Sequence, residues 1–173
     1  IHVQDPGEDN DIKPHLEAAW ENASSGDTIV LPPGSFKYDG HFYAYPVKKP
    51  GIYIKGAGSG VNGTRLYRDY DADLPFITFS GGYDPDPLPS IEISDIWFQA
   101  METRLYEGDT GSTHRLFQGI RLMNCDPWVH DCRFQWFSNK AIAINHPQEY
   151  GAGVISNNEF VENVALKTSG EFS

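Results

Sequence analysis

The chain predicts an all-β fold, a single-stranded parallel β-helix, and three observations point there. A six-residue pattern, aliphatic–x–Asp/Asn–x–x–Phe, occurs as ISDIWF at 93–98, VHDCRF at 129–134 and ISNNEF at 155–160. Its central residues Asp95, Asp131 and Asn157 stand 36 and then 26 positions apart, and a recurrence every 20 to 50 residues marks a solenoid. Gly 17, Pro 12 and 13% aromatic residues suit many short strands broken by turns better than long helices. Each copy is too short for a helical hairpin. It reads as a short strand, a tight corner at the Asp or Asn, and a second short strand.

Taken in order, residues 1–27 form an N-terminal segment that contains the one convincing helix, 11–22. Ile12, Leu16, Ala19 and Trp20 recur there at helical spacing, Asp11 is placed to cap it, and Pro14 falls in its first turn. A buried strand follows at 28–31, stopped by Pro32, Pro33 and Gly34. Further strands are expected at 53–55, 65–67, 76–79, 91–93, 119–123, 128–131, 141–144, 153–156 and 164–167. Segments 69–74 and 81–89 are rich in Asp, Pro and Gly, and the polar insertion 102–113 accounts for the longer first interval. Insertions of this kind project from a solenoid and wall binding grooves. Residues 1–173 are expected to be one domain, with coils over 28–173 and no recognisable C-terminal cap.

LEAAW at 16–20 and GDTIVLPPGSF at 26–36 resemble the entry segment of the pectate-lyase-like right-handed parallel β-helix superfamily. IYIKGAG at 52–58 and GTRL at 63–66 resemble its early coils, and the threefold pattern resembles its generic coil repeat. The resemblance covers most of the chain. It implies a right-handed solenoid whose open end the helix caps, with a polar ladder at Asp95, Asp131 and Asn157. It also implies an exported protein that acts on or binds acidic polysaccharide. It assigns no reaction, because lyases, hydrolases, epimerases and noncatalytic spikes share these segments.

The formal net charge is −11, which disfavours nucleic acid or an anionic membrane surface as partner. No apolar run reaches the ~20 residues that span a bilayer. Basic residues gather instead in 114–146, where Arg115, Arg121, Arg133 and Lys140 outnumber Asp126 and Asp131. The chain starts at Ile1 rather than Met, in keeping with removal of a secretory signal or trimming of a longer protein, and a secreted or cell-surface location is expected. Cys125 and Cys132 belong to no metal quartet; they read as small buried thiols, with a local disulfide as the alternative.

Strand alternation turns Arg121, His130 and Arg133 outward. These three are the catalytic candidates, arginine to pair a uronate carboxylate and histidine or arginine to move the C5 proton in a lyase reaction. Stacking the copies aligns Trp97, Arg133 and Glu159 in one outer column, and Ser94, His130 and Ser156 in another. A competing reading makes Arg133 a surface stack, with a cation–π contact to Trp97 and an ion pair to Glu159. Substrate-binding candidates are Trp97, Tyr43, Tyr45, Trp136, Lys140 and His146. No metal site is assigned. Asp95 and Asp131, stacked as neighbouring carboxylates, need a proton, a cation or N–H partners. Ca²⁺ would require more oxygens than can be named, and the Asp69, Asp71, Asp73 and Asp84, Asp86 loops are weak candidates. The rival to a polysaccharide enzyme is a noncatalytic surface, adhesin or filament-forming β-helix that self-associates by stacking.

Overall fold

Among the described residues, fourteen short strands recur in a cycle of three. The computed structural model describes residues 1–45, 47, 49–69, 74–82, 87–100, 118–137, 140–145 and 153–163. A first turn of chain supplies β1 (Thr28–Val30), β2 (Gly34–Lys37) and β3 (Phe42–Ala44); a second supplies β4 (Ile52–Lys55), β5 (Thr64–Tyr67) and β6 (Ile77–Ser80). The third supplies β7 (Ser90–Ser94), β8 (Ile96–Gln99) and β9 (Ile120–Met123), and the fourth β10 (Asp126–His130), β11 (Arg133–Gln135) and β12 (Ile142–Asn145). β13 (Val154–Ser156) and β14 (Glu159–Val161) begin a fifth. The first sheet is ordered β1-β4-β7-β10-β13, the second β2-β5-β8-β11-β14 and the third β3-β6-β9-β12. Every pairing is parallel. Three parallel sheets of stacked strands are compatible with the expected β-helix. No helix among the described residues is long and apolar enough to cross a membrane.

The repeat explains the corners. Asp95, Asp131 and Asn157 have φ of 61°, 52° and 54°, the left-handed region that Asn and Asp tolerate better than other side-chain-bearing residues. One such residue after β7, β10 or β13 turns the chain from the first sheet into the second. The aliphatic residue two places earlier points inward, as Ile93 and Val129 do at 0% exposure, and the terminal Phe does the same from the next strand. Phe98 and Phe134 therefore stack in the interior and the half-exposed Phe160 continues the row, with centroids 5.3 and 5.5 Å apart and ring planes within 15°. In the second turn of chain, residues 56–63 form a longer corner, which hides the pattern there. Gly56 is required at that corner because a Cβ would lie 2.1 Å from the Asp95 carbonyl oxygen.

The asparagines of the last corner bind backward. Asn158 accepts from the Cys132 N–H at 2.9 Å and donates to the Val129 carbonyl at 2.8 Å. Asn163 repeats this at the next corner with the Phe137 N–H at 2.8 Å and the Phe134 carbonyl at 2.9 Å. Each amide serves two backbone groups where the ladder is interrupted, as buried polar groups require.

The one α-helix among the described residues, α1 (Lys13–Asn22), starts two residues later than its periodicity indicates, with Ile12 rather than Asp11 as its N-cap. Asp11 instead accepts from the N–H groups of Lys13 and Asp39, both at 3.1 Å. Leu16, Ala19 and Trp20 are buried, and Trp20 packs on Phe42 and Phe79 at 5.7 and 5.1 Å. The preceding residues pair with the first strands: Val3 donates to the Val30 carbonyl, and Ile12 to that of Lys37. β2 and β3 are strands that the sequence reading passed over. Residues 102–113 and 164–167 lie outside the described residues.

Asn157 is exposed, so its backbone angle can be tested without disturbing a core. Asn157→Gly is expected to keep the urea midpoint, whereas Asn157→Val lowers stability by about 1–2 kcal/mol. Equal midpoints for the two variants would remove the corner argument. Phe134→Ala, at the centre of the ring stack, is expected to cost about 3–5 kcal/mol in the same titration.

Candidate functional site

Three outer faces carry different chemistry. On the first sheet, the register places Tyr53, Glu92 and Trp128 in one column and Lys55, Ser94, His130 and Ser156 in the next. His130 Nδ1 lies 2.7 Å from Asp131 Oδ2, and Nε2 lies 3.1 Å from Glu92 Oε1. Beside this clamp, the Tyr53 hydroxyl meets Ser94 Oγ at 2.5 Å, and Ser94 donates to Asp95 Oδ2 at 2.6 Å. Lys55 Nζ stands 3.9 Å from the same oxygen. The stacked carboxylates are thus satisfied by side chains, Asp95 by Ser94 and Lys55, and Asp131 by His130.

Burial disfavours the charged imidazole of His130, but hydrogen bonds to Asp131 and Glu92 and the charges of both outweigh it, raising its pKa above 6.5. Both ring nitrogens are engaged, and the His130 side chain is 13% exposed. An imidazolium held this way has no vacant lone pair with which to act as a base. Trp128 covers it, with ring centroids 4.3 Å apart.

On the second sheet, the column Ser35, Arg65, Trp97, Arg133, Glu159 runs from strand to strand. The guanidinium carbons of Arg65 and Arg133 lie 4.8 and 4.7 Å from the Trp97 ring centroid. They come from the strands on either side of Trp97. Arg133 also meets Glu159 at 3.6 Å. The surface-stack reading of Arg133 thus has its contacts in the structure. Nearby, Arg68 is 2% exposed and donates to the carbonyls of Leu74 at 2.5 Å, Pro75 at 2.9 Å and Gly40.

The third sheet carries an aromatic row. His41, Tyr43 and Tyr45 alternate outward along β3, with centroids 5.8 and 5.7 Å apart and planes 23° and 10° from parallel. Tyr43 and Tyr45 are 50% and 48% exposed. They line a cleft of about 280 Å³ with Trp20, Glu21 and Lys49. Lys49 Nζ donates to the carbonyls of Trp20 and Glu21 at 2.7 and 2.9 Å, capping the negative end of α1. Arg121 is exposed and shares the column of Tyr43 through Thr78. Burial, followed by the charges of Arg68, Lys13 and Arg121, holds His41 below its ordinary pKa.

The sheet assignments separate the catalytic candidates, Arg121 on the third sheet, His130 on the first and Arg133 on the second; they do not line one groove. Lys140 is exposed two residues before β12, and the residue paired with Arg121 is Ala143. Trp136 is a corner residue with φ 64°, partly packed on the core, its indole N–H 2.5 Å from Glu162 Oε2. His146 lies outside the described residues, as do Asp71, Asp73, Asp84 and Asp86; Asp69 pairs with Lys37 at 3.1 Å. Cys125 and Cys132 are free and buried, with burial pushing both thiols up to about 12. Among the described residues no cluster of three His, Cys, Asp or Glu is arranged to hold a metal.

Sequence reading missed Glu92, Tyr53 and Arg65 as site residues. Glu92 was legible in principle, lying two residues before Ser94 and hence on its face. Arg65 was not, because the 56–63 corner masks its register. The chain matches no family model, no curated protein and no solved structure.

The raised pKa of His130 has a definite sign. Its clamp contributes stability fully below pH 6.5, and that contribution is lost as pH rises through the folded-state value. The stability difference between the native chain and His130→Asn should therefore be largest in mildly acidic buffer and shrink at alkaline pH. A gap that is flat or widens with pH, measured by denaturant titration, would count against the clamp.

Proposed function

We propose that this protein is a carbohydrate-binding, right-handed parallel β-helix of the pectate-lyase-like type, exported, with α1 capping its first coil and acidic polysaccharide as its ligand. The observation that carries the reading is the half-exposed Tyr43 and Tyr45 pair lining a cleft, with Arg121 in the Tyr43 column. Tyrosine offers an apolar ring for a sugar and a hydroxyl for its polar rim. Arg121 lies two strand spacings away, ~10 Å, and offers a planar fork to a uronate carboxylate.

The geometry supports binding better than cleavage. A lyase needs a base free to take the C5 proton, whereas His130 is clamped by two carboxylates and Arg133 is packed on Trp97. Calcium would serve, if bound, to neutralise uronate charge; no described residues are assigned to it.

Gel retardation in polygalacturonate, with a neutral glucan as control, tests the reading. The double variant Tyr43→Ala/Tyr45→Ala is expected to lose about tenfold in affinity, with an unchanged circular dichroism spectrum. Retention of full affinity would exclude this cleft. Incubation with polygalacturonate and Ca²⁺ should give no rise in unsaturated-uronide absorbance; a rise would overturn the binding-only reading.

A second reading, self-association by stacking, is favoured by Val154, Ile155 and Phe160, which are 50%, 44% and 54% exposed on the last described strands. Concentration-dependent light scattering would support it, and a constant monomer mass would dismiss it.

A further inference from the structure

His130 is held at both ends of its ring, and the two holds belong to different turns of chain. Nδ1 lies 2.7 Å from Asp131 Oδ2 at the corner after β10, and Nε2 lies 3.1 Å from Glu92 Oε1 on β7. Ionised carboxylates only accept, so the ring serves both by donating from both nitrogens, which is the imidazolium form. A neutral ring keeps one N–H. Its other nitrogen then turns a lone pair toward a carboxylate oxygen, and two acceptors cannot share that distance without a proton between them.

The geometry also selects which end lets go. Asp131 is the more exposed acid, at 48% against 30% for Glu92. Its bond is nevertheless the shorter, and it adjoins His130 in the chain, whereas Glu92 is reached across the ladder. The other groups around the ring are engaged elsewhere or carry no charge. On β4 the Tyr53 hydroxyl meets Ser94 Oγ, and Lys55 Nζ stands 3.9 Å from Oδ2 of Asp95, the corner acid after β7. β10 itself starts at Asp126 and lays Trp128 on the imidazole, centroids 4.3 Å apart. β13 brings Val154 and Ser156, neither titratable, with Asn157 at its corner. Burial works against the charged ring, and the hydrogen bonds and charges of Asp131 and Glu92 outweigh it, so the proton is retained past pH 6.5.

We propose that His130 is a proton-operated latch on the first sheet. Protonated, it ties β7 to the corner after β10; deprotonated, it keeps Asp131 through Nδ1–H, releases Glu92 to water and presents the lone pair of Nε2. The open state thus has what the closed state lacks, an imidazole nitrogen able to accept a proton or an electrophile. The latch rests on the first sheet alone and is independent of the carbohydrate reading of the third.

Proton–nitrogen correlation spectra of the isotopically labelled whole chain, recorded from about pH 5 to about pH 9, test this, with His130 recognised by Overhauser contacts to the Trp128 ring. Two ring N–H groups are expected at the acid end, followed by loss of the Nε2 proton alone through a midpoint above 6.5. A midpoint at or below 6.5, or a neutral ring protonated at Nε2, overturns the latch. Glu92→Gln is expected to lower the midpoint and leave Nδ1 protonated in the neutral ring; an unchanged midpoint in the folded variant is contrary evidence of equal weight. Brief diethyl pyrocarbonate treatment near pH 7, mapped by mass, should modify the exposed His2 faster than His130, and the difference should close above the midpoint. Equal rates near pH 7, or a difference that persists in alkali, would sink the proposal. The spectra and the acylation use the native chain, so the test stands even if Glu92→Gln does not fold.

Discussion

A left-handed residue placed between two short strands turns the chain by one corner without breaking the parallel ladder on either side. Asp95, Asp131 and Asn157 occupy that conformation in successive turns of chain, and the pairs Ser94–His130–Ser156 and Trp97–Arg133–Glu159 fall into register on either side. A one-residue slip at any of these corners would exchange inward and outward side chains along the following strand. The inner phenylalanine stack and every outer column depend on this one backbone constraint. Trp136 and Glu162 adopt the same conformation at the next corner with less suitable side chains. They are neighbours across the ladder, and the indole–carboxylate hydrogen bond between them, which also lowers the pKa of Glu162, helps offset the local strain.

Parallel stacks have an edge at each end, and at the first one the chain's own early residues pair with the strands. Residues before and at the start of α1 hydrogen-bond to β1 and β2, while α1 places Trp20 against the third sheet. An edge treated this way no longer offers a row of free backbone groups to another chain. Toward the other end, Asn158 and Asn163 use side-chain amides to satisfy backbone groups of the preceding turn. Both devices address the same requirement, that no buried N–H or carbonyl be left without a partner.

The stacking, the pairing register and the helix were legible in the sequence because each rests on local periodicity: a recurring Asp/Asn and Phe, alternation within strands, and i, i+4 spacing in the helix. β2 and β3 were less legible. Pro32, Pro33 and Gly34 look like a stop, yet here they are a corner, and the chain resumes its ladder at Gly34. The site was harder still. His130 stood out as the odd member of its column, but its role depends on Glu92 one strand away and Asp131 next door, and only the two distances show that both nitrogens are occupied. Arg133 and Trp97 were correctly set side by side. That Arg65 reaches the same indole from the strand on its other side needed the register across a corner of irregular length.

What the repeat does for function is to keep neighbouring chemistries apart. The first sheet gathers Glu92, Asp95 and Asp131 around His130 and Lys55; the second carries two guanidiniums on an indole; the third carries tyrosines and Arg121. In a compact enzyme such groups would converge on one cavity and tune one another. Around stacked sheets the groups on a face interact instead within that face, along a column and between adjacent columns, as His130 does with Glu92. His130 illustrates the result: a histidine between Glu92 and Asp131 becomes a counterion, whereas Arg65 and Arg121 have no carboxylate partner among the described residues. Each outer column is thus a line of side chains spaced by one strand and running along the stack.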